Sequence, residues 1–182
     1  MKEKVTTFEK YFLYFFMYSV IGWCYEVFLE VVVYRWGFSN RGFLFGPYTP
    51  VYGFGAILFL VLLYPIKKNK VYIGKINVTP IVIFLGAMVI ATAVELLTSG
   101  ILDLVGSQPL WDYSNYAIHF QGRIALNPSI RFGIGGLLFL YILQPLFEKL
   151  VGLLSQKKLH IVFTILFGIM LLDLIVKIVN MI

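Results

Sequence analysis

Residues 80–102 read PIVIFLGAMVIATAVELLTSGIL, 23 residues whose only ionisable side chain is Glu95. A helix needs about 20 mostly apolar residues to cross the hydrocarbon core of a bilayer, so this run is long enough to span one. Four other stretches share its character, at roughly 11–33, 48–66, 132–148 and 159–180. The whole composition agrees. The chain of 182 residues is 60% hydrophobic and 13% charged, with mean hydropathy +0.87, against about 45–50% and 25% in soluble domains. These runs predict an all-α fold, a polytopic transmembrane helix bundle of about five spans forming a single integral membrane domain over 1–182. Disorder and collagen-like repeats are excluded, and Cys24, the only cysteine, has no partner for a disulfide scaffold. The first apolar run follows Lys2, Lys4 and Lys10 but continues past Cys24 to Val33 without a small-residue cleavage site, so it is a span and not a removable signal. Trp23, directly before Cys24, is too large for lipoprotein processing.

Lysine placement predicts the orientation. Lys2, Lys4 and Lys10 precede the first span, Lys67, Lys68, Lys70 and Lys75 lie between the second and third, and Lys149, Lys157 and Lys158 lie between the fourth and fifth. By the positive-inside rule these segments are cytoplasmic, which puts the N-terminus inside and the C-terminus outside. The net charge of +6 is therefore flank charge, and nucleic acid is not an expected partner. All four arginines, Arg35, Arg41, Arg123 and Arg131, fall on the opposite side, with Glu26, Glu30, Glu95, Asp103, Asp112 and Asp173. Charge at membrane depth is costly and marks function by default. Guanidinium also suits forked pairing with carboxylates or phosphates.

An ungapped offset of 80 residues aligns Gly42 to Pro65 with Gly122 to Pro145, with identities at Gly42, Gly53, Gly55, Leu58, Phe59, Leu60, Leu63 and Pro65. An offset of 69 aligns Glu26 with Glu95. The pattern suggests two helical hairpins repeated in parallel, plus a fifth helix.

The stretch Arg41 to Gly55 contains Gly42, Gly46, Pro47, Pro50, Gly53 and Gly55. Missing amides and permitted positive φ make an irregular or re-entrant approach to the second span, and such backbone survives at depth only when buried in protein or lining a cavity. A packing turn and a substrate-lining loop are both consistent with it. Glu26 and Glu30 share one helical face. Glu30, nearer the interface, suits an ion pair, while Glu26 is the sharper candidate for a working group. Glu95 has no charged neighbour within seven positions and requires either a raised pKa or an arginine from another helix, the latter being favoured. Trp111-Asp112-Tyr113-Ser114 reads as an interfacial aromatic anchor beside an acid and hydroxyls. Arg123, Asn127 and Arg131 flank Pro128 at a helix start, where free amides favour an anion. Asp173 suits a pair with Lys177 at i+4. The candidate substrate-binding set is Glu26, Arg41, Glu95, Asp112, Arg123, Asn127 and Arg131.

Other chemistries are missing. There is no phosphate-binding Walker loop, no nucleophile elbow and no metal-ligand spacing, and His119 and His160 fall on opposite sides. No cofactor or metal is expected, and an enzymatic role is disfavoured.

Gly22-Trp23-x-x-Glu26, Arg41-Gly42-x-Leu44-x-Gly46-Pro47-x-x-Pro50-x-Tyr52-Gly53-x-Gly55, Glu95-x-x-Thr98-x-Gly100, Trp111-Asp112-Tyr113-Ser114 and Gly122-Arg123-Ile124 resemble, in order and spacing, a family of small bacterial integral membrane proteins named putative ABC-transporter permeases, type IV. The family's tryptophan ahead of the glycine opening the fourth span is here Phe132, before Gly133. The resemblance implies a multi-span permease-like subunit in the bacterial cytoplasmic membrane. Five spans make a thin pathway, so the permease reading calls for a homodimer or partner subunits, including a separate ATPase, with membrane lipids around them. Two rival readings are an enzyme or binder acting on an anionic lipid headgroup, and a structural or regulatory subunit whose charges lock the bundle. A further expectation is that Glu26, Arg41, Glu95 and Arg123 converge, with the arginines forming an anion-accepting pocket.

Overall fold

The computed structural model describes residues 7–40, 42–104, 108–109 and 111–180. Among these residues five helices are long and apolar enough to cross a membrane: Thr7–Val33, Pro50–Asn69, Thr79–Leu104, Leu126–Gly152 and Gln156–Val179. The fourth starts earlier than its apolar run because Pro128, with its preset φ and no amide to lose, is tolerated in a first helical turn. Asn127, Ser129 and Arg131 thus ride on the helix, not in a loop.

Backbone contacts divide the chain into two compact units, Met1–Ile57 with Leu146–Ile182, and Leu58–Pro145. In the first unit Leu13, Val151 and Leu159 form one buried cluster, and Leu44, Tyr48 and Met170 another. Phe12 meets Phe163 and Phe167 edge-on at 5.2 and 5.3 Å, which joins the first span to the fifth through ring contacts. The second span enters this unit at Gly53. A Cβ there would come within 2.4 Å of Ser19 Oγ and 2.7 Å of the Phe15 carbonyl, so only glycine allows the two backbones to approach so closely. Residues 42–49 are irregular, as the glycines and prolines require, and Leu44, Tyr48 and Thr49 in this segment are buried. The Thr49 amide donates to the Ser19 carbonyl at 2.9 Å.

In the second unit the third and fourth spans pack closely around Ile83, Ala87 and Leu140, all fully buried. A Cβ on Gly133 would lie 2.6–2.8 Å from Phe84 and Met88, and one on Gly136 would lie 2.3 Å from that of Ala87. The fourth span widens into a π turn at Phe139–Leu143 just before Pro145. Gln144 donates back to Phe139, so the next acceptor along, the Leu140 carbonyl, faces a proline with no amide. Lys67 fills that vacancy at 2.7 Å, with its ammonium 5.3 Å from the ring centres of Tyr64 and Tyr141. Lys67 is therefore a structural donor and not only a flank anchor.

Two short antiparallel ladders complete the unit. Strands β1 (Tyr72–Ile73) and β2 (Ile76–Asn77) turn through Gly74 at φ +60°. Strands β3 (His119–Phe120) and β4 (Ile124–Ala125) pair His119 with Ala125 and Phe120 with Ile124. The connection between the second and third spans and the one between the third and fourth thus each hold a short hairpin.

Candidate functional site

Glu26 lies in the first span, one turn after Gly22. Because Gly22 lacks a side chain, the Tyr52 ring sits directly on it, at 2.3–2.6 Å from where a Cβ would be. The Tyr52 hydroxyl thereby reaches Glu26 and donates to it. Tyr25 meets the Tyr52 ring edge-on at 6.5 Å. Glu30, though on the same helical face, has a different task. It is buried and accepts from the Ser39 hydroxyl at 2.7 and 2.9 Å and from the Ser39 amide at 3.3 Å, which ties residues 34–40 to the end of the span. Asn40 extends the tie by accepting from the Trp23 indole at 2.7 Å and donating to the Phe45 carbonyl at 2.8 Å. Arg41 lies outside the described residues.

Asp173, expected to pair with Lys177, serves backbone instead. Its carboxylate accepts the amides of Phe45 at 3.0 Å and Gly46 at 2.8 Å, together with the Tyr48 hydroxyl. One acid on the fifth span thus satisfies the irregular backbone that Gly46 and Pro47 create. Burial and the adjoining Asp173 push the Tyr48 phenol up, so Tyr48 remains a donor. Lys177 sits over the rings of Phe43 and Phe45 at 5.5 and 4.9 Å.

In the second unit Glu95 is buried in the third span and accepts from the Tyr113 hydroxyl at 2.6 Å. Tyr113 is delivered by a tightly closed loop. Its amide donates to the Gly122 carbonyl at 2.8 Å, and the Trp111 indole donates to the Arg123 carbonyl at 2.8 Å. Asp112 accepts the Ser114 hydroxyl and amide at 2.6 and 2.8 Å, and these two bonds hold its carboxyl below the usual carboxylate range. Gly122, at φ +68°, permits the turn and leaves no room for a side chain beside Ser114 and Asp112. The Tyr113 ring meets Tyr116 edge-on at 5.7 Å.

The Arg123 guanidinium pairs with Asp103 at the end of the third span. Ser129 donates to the Ala125 carbonyl at 2.9 Å and, having used its one proton, accepts from Thr92 at 2.7 Å. Asn127 and Arg131 are exposed. Of the candidate residues in this unit, Asp112 and Arg123 thus close one loop that presents Tyr113 to Glu95, whereas Asn127 and Arg131 stand apart at the helix start. Glu26 sits within the first unit. Sequence reading places Tyr52 only within the Arg41–Gly55 motif and Tyr113 beside the Trp111 anchor, and misses both as carboxylate partners. The available signal is Gly22, four residues before Glu26 and so on the same face.

The family described as "Putative ABC-transporter type IV" matches residues 13–178 of the chain. No curated protein and no solved structure matches it.

Proposed function

The chain belongs to the family described as "Putative ABC-transporter type IV", and from this premise we propose that it is the permease-like membrane subunit of a bacterial transporter, acting as one integral membrane domain with a separate ATPase. The observation that carries the proposal is the pair of carboxylates within the spans, Glu26 and Glu95, each receiving a tyrosine hydroxyl. Ionisable groups at such depth are retained where they serve a solute or ion path. In this reading Glu26 contacts solute in the first unit and Glu95 does so in the second, where Asp112, Arg123, Asn127 and Arg131 frame the mouth. The Arg123 pair with Asp103 balances charge at that mouth, which weighs against a dedicated clamp for a lipid phosphate.

An affinity-tagged chain purified from its native membranes should bring with it an ATP-hydrolysing subunit. Glu26→Gln and Glu95→Gln should retain that subunit while reducing solute-dependent hydrolysis at least tenfold, and Lys68→Gln should leave both intact. Absence of any copurifying ATPase activity refutes the permease reading.

The lysine-bearing loops face the cytoplasm in this proposal, with the N-terminus inside and the C-terminus outside. In a Cys24→Ser background, Asn115→Cys should react with an impermeant thiol reagent applied to whole cells and Lys70→Cys should not. Labelling of Lys70→Cys from outside overturns the orientation.

A further inference from the structure

The polar cluster around Glu26, which is half-buried, recurs around the buried Glu95. Glu26 is joined by Tyr52, whose ring meets Tyr25 edge-on at 6.5 Å and 69°. Glu95 is joined by Tyr113, whose ring meets Tyr116 edge-on at 5.7 Å and 85°. The helix contacts beneath the two clusters correspond as well. Gly53 rests on Phe15 and Ser19, and Gly133 rests on Phe84 and Met88. An offset of 69 carries Phe15, Ser19 and Glu26 onto Phe84, Met88 and Glu95, and an offset of 80 carries Gly53 onto Gly133. These are the two offsets of the sequence repeat, and they pair residues that touch in equivalent ways.

The clusters differ in where their rings come from: an offset of 69 carries Tyr25 onto Val94, and both rings of the second cluster, Tyr113 and Tyr116, belong to the loop. The same offsets carry Gly22 onto Ala91 and Tyr52 onto Phe132. In the first cluster the Tyr52 ring occupies the volume of the missing Gly22 side chain. Ala91 carries the side chain that Gly22 lacks, and Phe132 has no hydroxyl to offer. The phenol comes instead from Tyr113 on the loop, which Asp112, Gly122 and Arg123 fold into place.

A carboxylate beside two phenol rings is complementary to an alkylated ammonium group. The rings supply negative faces to a diffuse, weakly hydrated cation, and the carboxylate supplies the counter-charge. An inorganic anion meets only repulsion there. In the second unit an open groove of about 320 Å³, lined by Tyr116, Ile118, Leu126, Asn127 and Ile130, leads to the outer ring of the cluster. Its volume falls in the range of small-ligand sites and its walls are mainly apolar, as the alkyl groups of such a cation require.

We infer that the chain presents the same carboxylate–tyrosine grouping twice, on helices related by an internal repeat, and that each copy binds an alkylammonium cation. The inference rests on Glu26 and Glu95 being solute-facing groups and adds the class of solute. The test is calorimetric titration of the purified full chain in detergent micelles with tetraethylammonium chloride, and separately with inorganic phosphate. Tetraethylammonium should bind with two equivalents per chain. Glu26→Gln or Glu95→Gln should leave one, and the double variant none. Tyr25→Leu and Tyr116→Leu leave the carboxylates and their phenol partners in place, and each should weaken one of the two sites by roughly tenfold. No tetraethylammonium binding by the wild type, binding of phosphate in its place, or two equivalents that survive both glutamine substitutions overturns the inference, as does a single equivalent lost in only one of the two glutamine variants. The titration needs no ATPase. Failure to bind with an ATPase still copurifying therefore removes the ligand class alone, whereas binding without a copurifying ATPase removes the permease reading.

Discussion

Gly53→Ala should destabilise the protein by about 1–3 kcal/mol, the ordinary range for forcing an extra group into a packed interior, while Gly55→Ala two residues away should be neutral or stabilising. A Cβ at Gly53 would lie 2.7 Å from the Phe15 carbonyl oxygen, 2.6 Å from the Phe15 ring and 2.4 Å from Ser19 Oγ, whereas one at Gly55 would meet nothing within 4 Å. The carbonyl belongs to the helix backbone and cannot rotate aside, so the second span must move off the first. That movement also breaks the bond from the Thr49 amide to the Ser19 carbonyl. In lipid, where apolar surface gains little by meeting other apolar surface, close backbone approach is a principal source of helix association. At Gly55 the substitution only improves helix propensity, by about 0.5–1 kcal/mol. Loss of helical circular dichroism on titrating micelles with dodecyl sulfate measures the difference. Equal midpoints for the two variants contradict the packing described. Gly133→Ala and Gly135→Ala form a matching pair in the second unit, since Gly135 is equally open.

Asp173→Ala should release the segment leading into the second span. The carboxylate accepts two backbone amides and a phenol, and hydrogen bonds to a charged group contribute more than neutral ones. Removing it leaves the Phe45 and Gly46 amides with no acceptor from the fifth span. The expected cost is about 2–3 kcal/mol, which should appear as hydrogen exchange at Phe45 and Gly46 faster by a factor of roughly 30 to 150. Asp173→Asn keeps one carbonyl acceptor and should fall between the variant and the wild type. Lys177→Gln should have little effect, since the Lys177 ammonium over Phe43 and Phe45 is a contact of about 0.5–1 kcal/mol at an exposed site. If Lys177→Gln accelerates exchange as much as Asp173→Ala, the helix pair and not the amide clamp is the principal role of Asp173.

The five spans were legible from the chain because each is an apolar run of bilayer length, a property of consecutive residues that needs no partner. The irregular backbone of residues 42–49 was legible for the same reason, since Gly46, Pro47 and Pro50 act on their own amides and dihedral angles. The rarity of acids inside the spans likewise singled out Glu26 and Glu95 before any geometry was known. What each acid bonds to was decided only by the tertiary structure. Glu30 accepts from Ser39, Glu95 from Tyr113, and Asp173 from backbone amides 127 and 128 residues away, and Lys67 serves a carbonyl 73 residues along the chain. A helix of a soluble protein shows its packed face as an apolar stripe, but a span apolar on every side has no such stripe. Its rotation is set by small residues such as Gly22, Gly53 and Gly133, which admit a neighbour, and by the loops that bring distant hydroxyls and amides within reach. Those are contacts between parts of the chain remote in sequence, so they exist only once it has folded.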